Sequence, residues 1–257
     1  MAPWNPFPHA GAYAFDADSL TRHWAALHRG DCEPLPQDAA VLQAWVLFHN
    51  GAFEQAARAG LAAGGAGITA ANKATCVYAN YLEPREQSRL ELLLEAAGRA
   101  EAQQALDPKN PNAWYWQAYA LGRYSQGISV AKALAQGLGA KVKHALEQTI
   151  RLLPQHADAH VALGAFHAEV IDKVGPLIGN LTYGARKDTG LALYREALRL
   201  NPHSAVAMTE YASGLLMLEG PGRLQEASRL YEQAAAAHAL DVPQRLDVEM
   251  ARLQLQD

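Results

Sequence analysis

Asn112, Tyr115, Trp116, Tyr119 and Arg123 are the residues of this chain best suited to recognising another molecule. On a helix turning about 100° per residue they share one side, while Trp114, Ala118 and Leu121 share the other. Tyr, Trp and Arg are the side chains that anchor binding interfaces. An Arg beside phenol hydroxyls holds a carboxylate well, so a peptide carboxylate is the ligand group this set would take. The same residues have a plainer use. A long helix buried on both sides would carry them simply to pack against a neighbouring insert.

Other chemistry is weaker. His156, His160 and His167 fall within about 40° of one another around a helix, but His160 and His167 are about 10 Å apart along its axis, so all three cannot ligate one ion. Two of them occupy packing positions and read as structural histidines. Glu169 and Asp172 beside His167 come nearest to an acid–base group, and a solvated helix end explains them as well. Neither GxSxG nor HExxH is present, and the glycine-rich Ala59–Gly67 lacks the Lys-Ser/Thr of a phosphate loop, so it reads as a flexible loop. No catalytic residue, metal or cofactor is expected.

Composition sets the class of partner. With 22 basic and 26 acidic residues the formal charge is −4, without the basic stripe that nucleic acid requires. Cys32 and Cys76 are the only cysteines and lack CxxC spacing, which suits a reducing compartment. No Lys or Arg precedes Arg22, and no apolar run reaches a membrane span, so a cytoplasmic chain with no membrane partner is expected. The start is unusual for a tail: Pro3, Trp4, Pro6, Phe7, Pro8, Tyr13 and Phe15 form a segment too aromatic to be merely disordered. It should dock, either on the outer surface and first helices or as a plug in a groove.

The elements that position these residues are helices. Apolar residues recur at i, i+3, i+4 and i+7, strand-like alternation is absent, and Ala and Leu are abundant. AQQALDP, TIRLLP and YREALRLNP close three helices at Pro108, Pro154 and Pro202, which are 46 and 48 residues apart. Before Pro202 stand His160, Leu163-Gly164, Tyr194 and Ala197; before Pro154 stand Trp114, Ala118 and Leu146. Small residues at such points let helix axes approach, and large ones fill the gaps.

These positions resemble the W-x2-L-G-x2-Y…A-x3-F…P pattern of tetratricopeptide repeats, whose unit is about 34 residues. The units here are enlarged, with inserts at Ser125–Gly139 and Val174–Gly190. Asn50-Gly51-Ala52-Phe53 resembles the turn within such a pair, and Tyr211-Ala212 with Ala227, Tyr231 and Ala234 supplies a last copy, making about five units. The run VKHALEQTIRLLPQHADAHVALGAFHAEV with YREALRLNP is similar to the enlarged-repeat branch containing the regulator of microtubule dynamics family. A periplasmic repeat group associated with TRAP transporters, which binds small ligands, is also similar.

The expected fold is all-α: a right-handed superhelix of stacked antiparallel helix pairs, with inserts in the middle repeats and terminal capping helices. Residues 1–36 are expected to form the N-terminal segment and a cap through Leu20, Trp24 and Leu27. Residues 37–257 are expected to form the repeat domain, closed by a helix with Leu246, Met250 and Leu253 inward. The resemblance implies a non-enzymatic scaffold holding a protein or peptide in its groove. The alternative is a small-ligand binder whose pocket the two inserts close. Partner identity and oligomeric state are not written in the sequence.

Overall fold

The computed structural model describes residues 3–9 and 11–256, and every regular element among them is helical. The helices are α1 (Ala17–Leu27), α2 (Ala39–His49), α3 (Phe53–Ala63), α4 (Gly67–Tyr81), α5 (Glu86–Leu106), α6 (Pro111–Gln126) and α7 (Val130–Ala135). They continue with α8 (Leu138–Leu152), α9 (Ala157–Val174), α10 (Pro176–Tyr183), α11 (Lys187–Leu200), α12 (Ala205–Glu219), α13 (Leu224–Ala235) and α14 (Val242–Gln254). α2 packs with α3, α4 with α5, α6 with α8, α9 with α11, and α12 with α13. The inserts between the third and fourth pairs' partners are the short helices α7 and α10.

The prolines work by local geometry. Asp107 (φ −137°, ψ 82°) and Asn201 (φ −133°, ψ 80°) take the extended backbone that a following proline imposes, which stops α5 and α11. The next helix then starts at a capping side chain. Asn110 Oδ1 accepts from the amides of Asn112 and Ala113, and Ser204 Oγ accepts from Ala207. After Pro154 the cap is His156, whose Nδ1 accepts from the Ala159 amide.

The chain divides into two compact units. The first holds residues 1–28, 33–152 and 241–243; the second holds 29–32, 153–240 and 244–257. In the first unit Leu20, Trp24 and Leu27 of α1 are buried, as are Trp45, Phe48, Tyr78 and Leu93.

Ala59–Gly67 is not a flexible loop. A Cβ on Gly60 would stand 2.4 Å from the Gly67 carbonyl oxygen, and one on Gly67 would stand 2.6 Å from that of Gly60. The glycines let the backbones of α3 and α4 touch, while Gly64 (φ +66°) and Gly65 (φ +49°) make the turn.

The second unit is organised around Tyr194 of α11, which is 1% exposed. Its ring lies between Gly164 of α9 and Gly214 of α12, and stacks on Tyr211 with centroids 5.3 Å apart. In α14 the buried side chains are Val242, Leu246, Val248 and Ala251, while Leu253 is 54% exposed. The inward stripe is thus shifted from the expected Leu246, Met250 and Leu253: Ala251 replaces Leu253 on the face packed near Ala205 and Ala234.

Candidate functional site

α6 has three neighbouring helices rather than one: α5, α8 and α4. This decides the fate of the cluster read from sequence. Asn112, Tyr115 and Trp116 are buried, and Tyr119 and Arg123 are half-buried. Trp114, placed on the core side by its spacing, is itself only half-buried; its indole N–H donates to the Pro108 carbonyl and its ring meets His144 edge-on. Both sides of the helix are covered, so a single apolar stripe does not describe it.

The cluster is continuous. Tyr115, Trp116 and Tyr119 are in mutual ring contact, with centroids 4.9 to 6.2 Å apart. The Arg123 guanidinium lies over the Tyr119 ring at 5.4 Å, and its Nη1 donates to Gln126 Oε1. Asn112 donates to the buried carboxylate of Glu33, whose main-chain carbonyl accepts from the Trp24 indole at 2.7 Å.

A residue missed in the sequence joins this set. The Lys73 ammonium of α4 stands 5.3 to 5.8 Å from the rings of Trp45 and Phe48 of α2 and Trp116 of α6. The indole nitrogens of Trp45 and Trp116 are buried without a hydrogen-bond partner. No periodicity marks Lys73, because the three rings come from helices far apart in the chain. Lysine over aromatic faces is attracted by the ring quadrupoles and gains more as water is excluded.

The histidines are engaged with the backbone. His160 Nε2 meets the Pro154 carbonyl at 2.9 Å, and His167 Nδ1 accepts from the Arg186 amide at 3.1 Å. Glu169 pairs with Lys173. Among the described residues no group of three potential ligands gathers. Zinc added at several equivalents is expected to leave the melting temperature unchanged, as followed by circular dichroism; a rise would mean that His156 and His160 turn outward to bind it.

Residues 68–173, from α4 to the end of α9, match the model of the family described as Regulator of microtubule dynamics protein 1-3. Cellulose synthase operon protein C of Xanthomonas axonopodis pv. citri (strain 306) is 34% identical over 141 residues, which is 54% of this chain and 8% of that protein. The chain thus spans less than a tenth of that relative. The crystal structure of a thermophilic TPR protein in Thermus thermophilus matches with a TM-score of 0.59 at 18% identity, covering 83% of this chain and 97% of that one. The chain has the tetratricopeptide-like fold. It is related, over residues 68–173, to the regulator of microtubule dynamics group. In a tetratricopeptide-like frame α2, α4 and α6 are the first helices of three successive pairs, and the Lys73 contacts draw on all three. No helix among the described residues is long and apolar enough to cross a membrane.

Proposed function

We propose that the chain is a non-enzymatic scaffold that holds a protein or peptide partner on the α6 face presenting Tyr119 and Arg123. The observation that carries this reading is the Arg123 guanidinium laid over Tyr119, with the ring backed by buried Tyr115 and Trp116. A cation held on a rigid aromatic bed loses little side-chain freedom when a partner arrives, which is how Tyr and Arg anchors gain affinity. Asn112, Tyr115 and Trp116 act as the support, and Tyr119 and Arg123 make the contact. The group that fits is a carboxylate on an acidic or C-terminal peptide. The two free thiols, Cys32 and Cys76, accord with a cytoplasmic setting.

Wild-type chain and the Tyr119→Ala/Arg123→Ala variant, immobilised and exposed to extract of the native cell, test this. The wild type is expected to retain a protein that the variant loses, with both chains melting alike. Equal retention, or an unfolded variant, would show these residues to be packing only.

A further inference from the structure

Residues 3–9 form no helix, yet they are fixed to the first unit at definite points. The Trp4 indole stacks on the Tyr78 ring with centroids 4.2 Å apart and planes 10° apart. The Trp4 amide donates to Glu54 Oε2 at 3.2 Å. The Asn5 amide donates to the Tyr78 hydroxyl oxygen at 3.1 Å, and its side chain donates to the Leu82 carbonyl at 3.3 Å. Phe7 is buried, with its Cβ 3.2 Å from where a Cβ on Gly51 would stand. Between and around these anchors Pro3, Asn5, Pro6, Pro8 and His9 are exposed.

The receiving side is built in advance. Gly51 turns at φ +81° between α2 and α3, which leaves room for Phe7 beside Val242. The Tyr78 hydroxyl donates to Glu83 at 2.9 Å and so presents its lone pairs to an incoming amide. Glu83 is held in turn by the Arg85 guanidinium and main-chain amide. The Arg85 hydrogen bond does most to pull the Glu83 carboxyl down to about 2, so its acceptor character persists across the ordinary pH range.

A segment covered only at two aromatic anchors, Trp4 half-buried and Phe7 buried, with its amides read by a carboxylate and a phenol, has the form of a bound extended peptide. A core element would be covered along its length. We propose that Glu54, Tyr78, Leu82 and Gly51 form a recognition groove for an extended aromatic-Asn-Pro-aromatic segment of a separate protein partner, and that residues 3–9 occupy it as an intramolecular ligand. The groove is independent of Tyr119 and Arg123. Because a tethered ligand acts at an effective concentration in the millimolar range, a partner enters only by bringing a competing segment together with further contacts.

The probe is a fluorescent peptide carrying residues 1–15, titrated by anisotropy against the full chain, a chain lacking residues 1–15, and the full-length Trp4→Ala/Phe7→Ala variant. The two opened proteins are expected to bind it saturably, and the full chain at least about 100-fold more weakly. A peptide bearing the same two alanines is expected to bind none of them. If the shortened chain does not fold, by circular dichroism, the double variant decides. No binding to either opened protein at about 1 mM, near the tethered concentration, overturns the proposal. So does equal binding to the full chain. A full-chain dimer in sedimentation that disappears in Trp4→Ala/Phe7→Ala would show that the occupant is a second copy's segment, which overturns the separate partner.

Discussion

Tyr194→Ala is expected to destabilise the chain by about 3–5 kcal/mol, the range for removing a large buried ring. With about 2–4 °C lost per kcal/mol in a protein of this size, a melting temperature lower by roughly 10 °C should follow. The ring fills the space between α9, α11 and α12, and two glycines exist to admit it. A Cβ on Gly214 would stand 2.5 Å from Tyr194 Cε2 and 2.7 Å from its hydroxyl, so the ring would have to move in a site that has no room. Overpacking costs about 1–3 kcal/mol, against which alanine regains about 1 kcal/mol of helix propensity. Gly214→Ala should therefore be a net loss. At Gly164 the same ring stands 3.1 to 3.2 Å away, and the two effects nearly cancel.

The geometry also requires coupling. Once Tyr194→Ala has emptied the site, adding Gly214→Ala should cost nothing further, and additive losses in chemical denaturation would contradict the contact. Burial, with Glu210, Glu169 and Tyr231 adding to it, pushes the Tyr194 phenol well above its ordinary value. The unfolded phenol ionises near about 10, so this contribution is complete below that pH and is lost as pH rises toward the folded value. Tyr194→Phe should flatten the alkaline limb of stability against pH.

His49→Ala is the second large effect, about 3–5 kcal/mol, because it removes a buried ring together with its hydrogen bond to a buried carboxylate. His49 Nδ1 lies 2.6 Å from Asp241 Oδ2, and the two side chains are 1% and 3% exposed. With Nδ1–H donated to Asp241, Nε2 is left to meet His28 Nε2 at 3.2 Å, and the His28 ring stacks on Trp24 with centroids 4.0 Å apart. Asp241→Asn keeps an acceptor oxygen at the same place and should cost only about 1–2 kcal/mol, a hydrogen bond weakened rather than abolished. The order of the two variants in urea unfolding is the test. If Asp241→Asn were the more damaging, the carboxylate charge rather than the His49 ring and its hydrogen bond would be what the unit depends on.

The two effects differ in how far the sequence announces them. Gly164, Tyr194 and Ala197 stand at repeat positions, so their packing could be anticipated from the pattern closing at Pro202, and the pre-proline residues Asp107 and Asn201 mark helix ends by sterics alone. His49 and Asp241 are 192 residues apart, and no local rule joins them. α6 falls between these cases. Its helical periodicity is plain, but a helix with α4, α5 and α8 around it buries Asn112, Tyr115 and Trp116 as well as its nominal core side. The glycines at 60 and 67 look like loop formers because close backbone approach and turn flexibility use the same residue. Lys73 is invisible for the reason His49 is: its partners lie on other helices.

What remains of the α6 cluster at the surface is Tyr119 and Arg123, and the proposed function rests on them. The most direct measurement is calorimetric titration of the captured partner into wild type and Tyr119→Ala/Arg123→Ala. Loss of two interface anchors should weaken binding by about 30-fold or more while the melting temperature stays the same. An affinity unchanged within about threefold, a difference below about 1 kcal/mol, would contradict a binding role for this face.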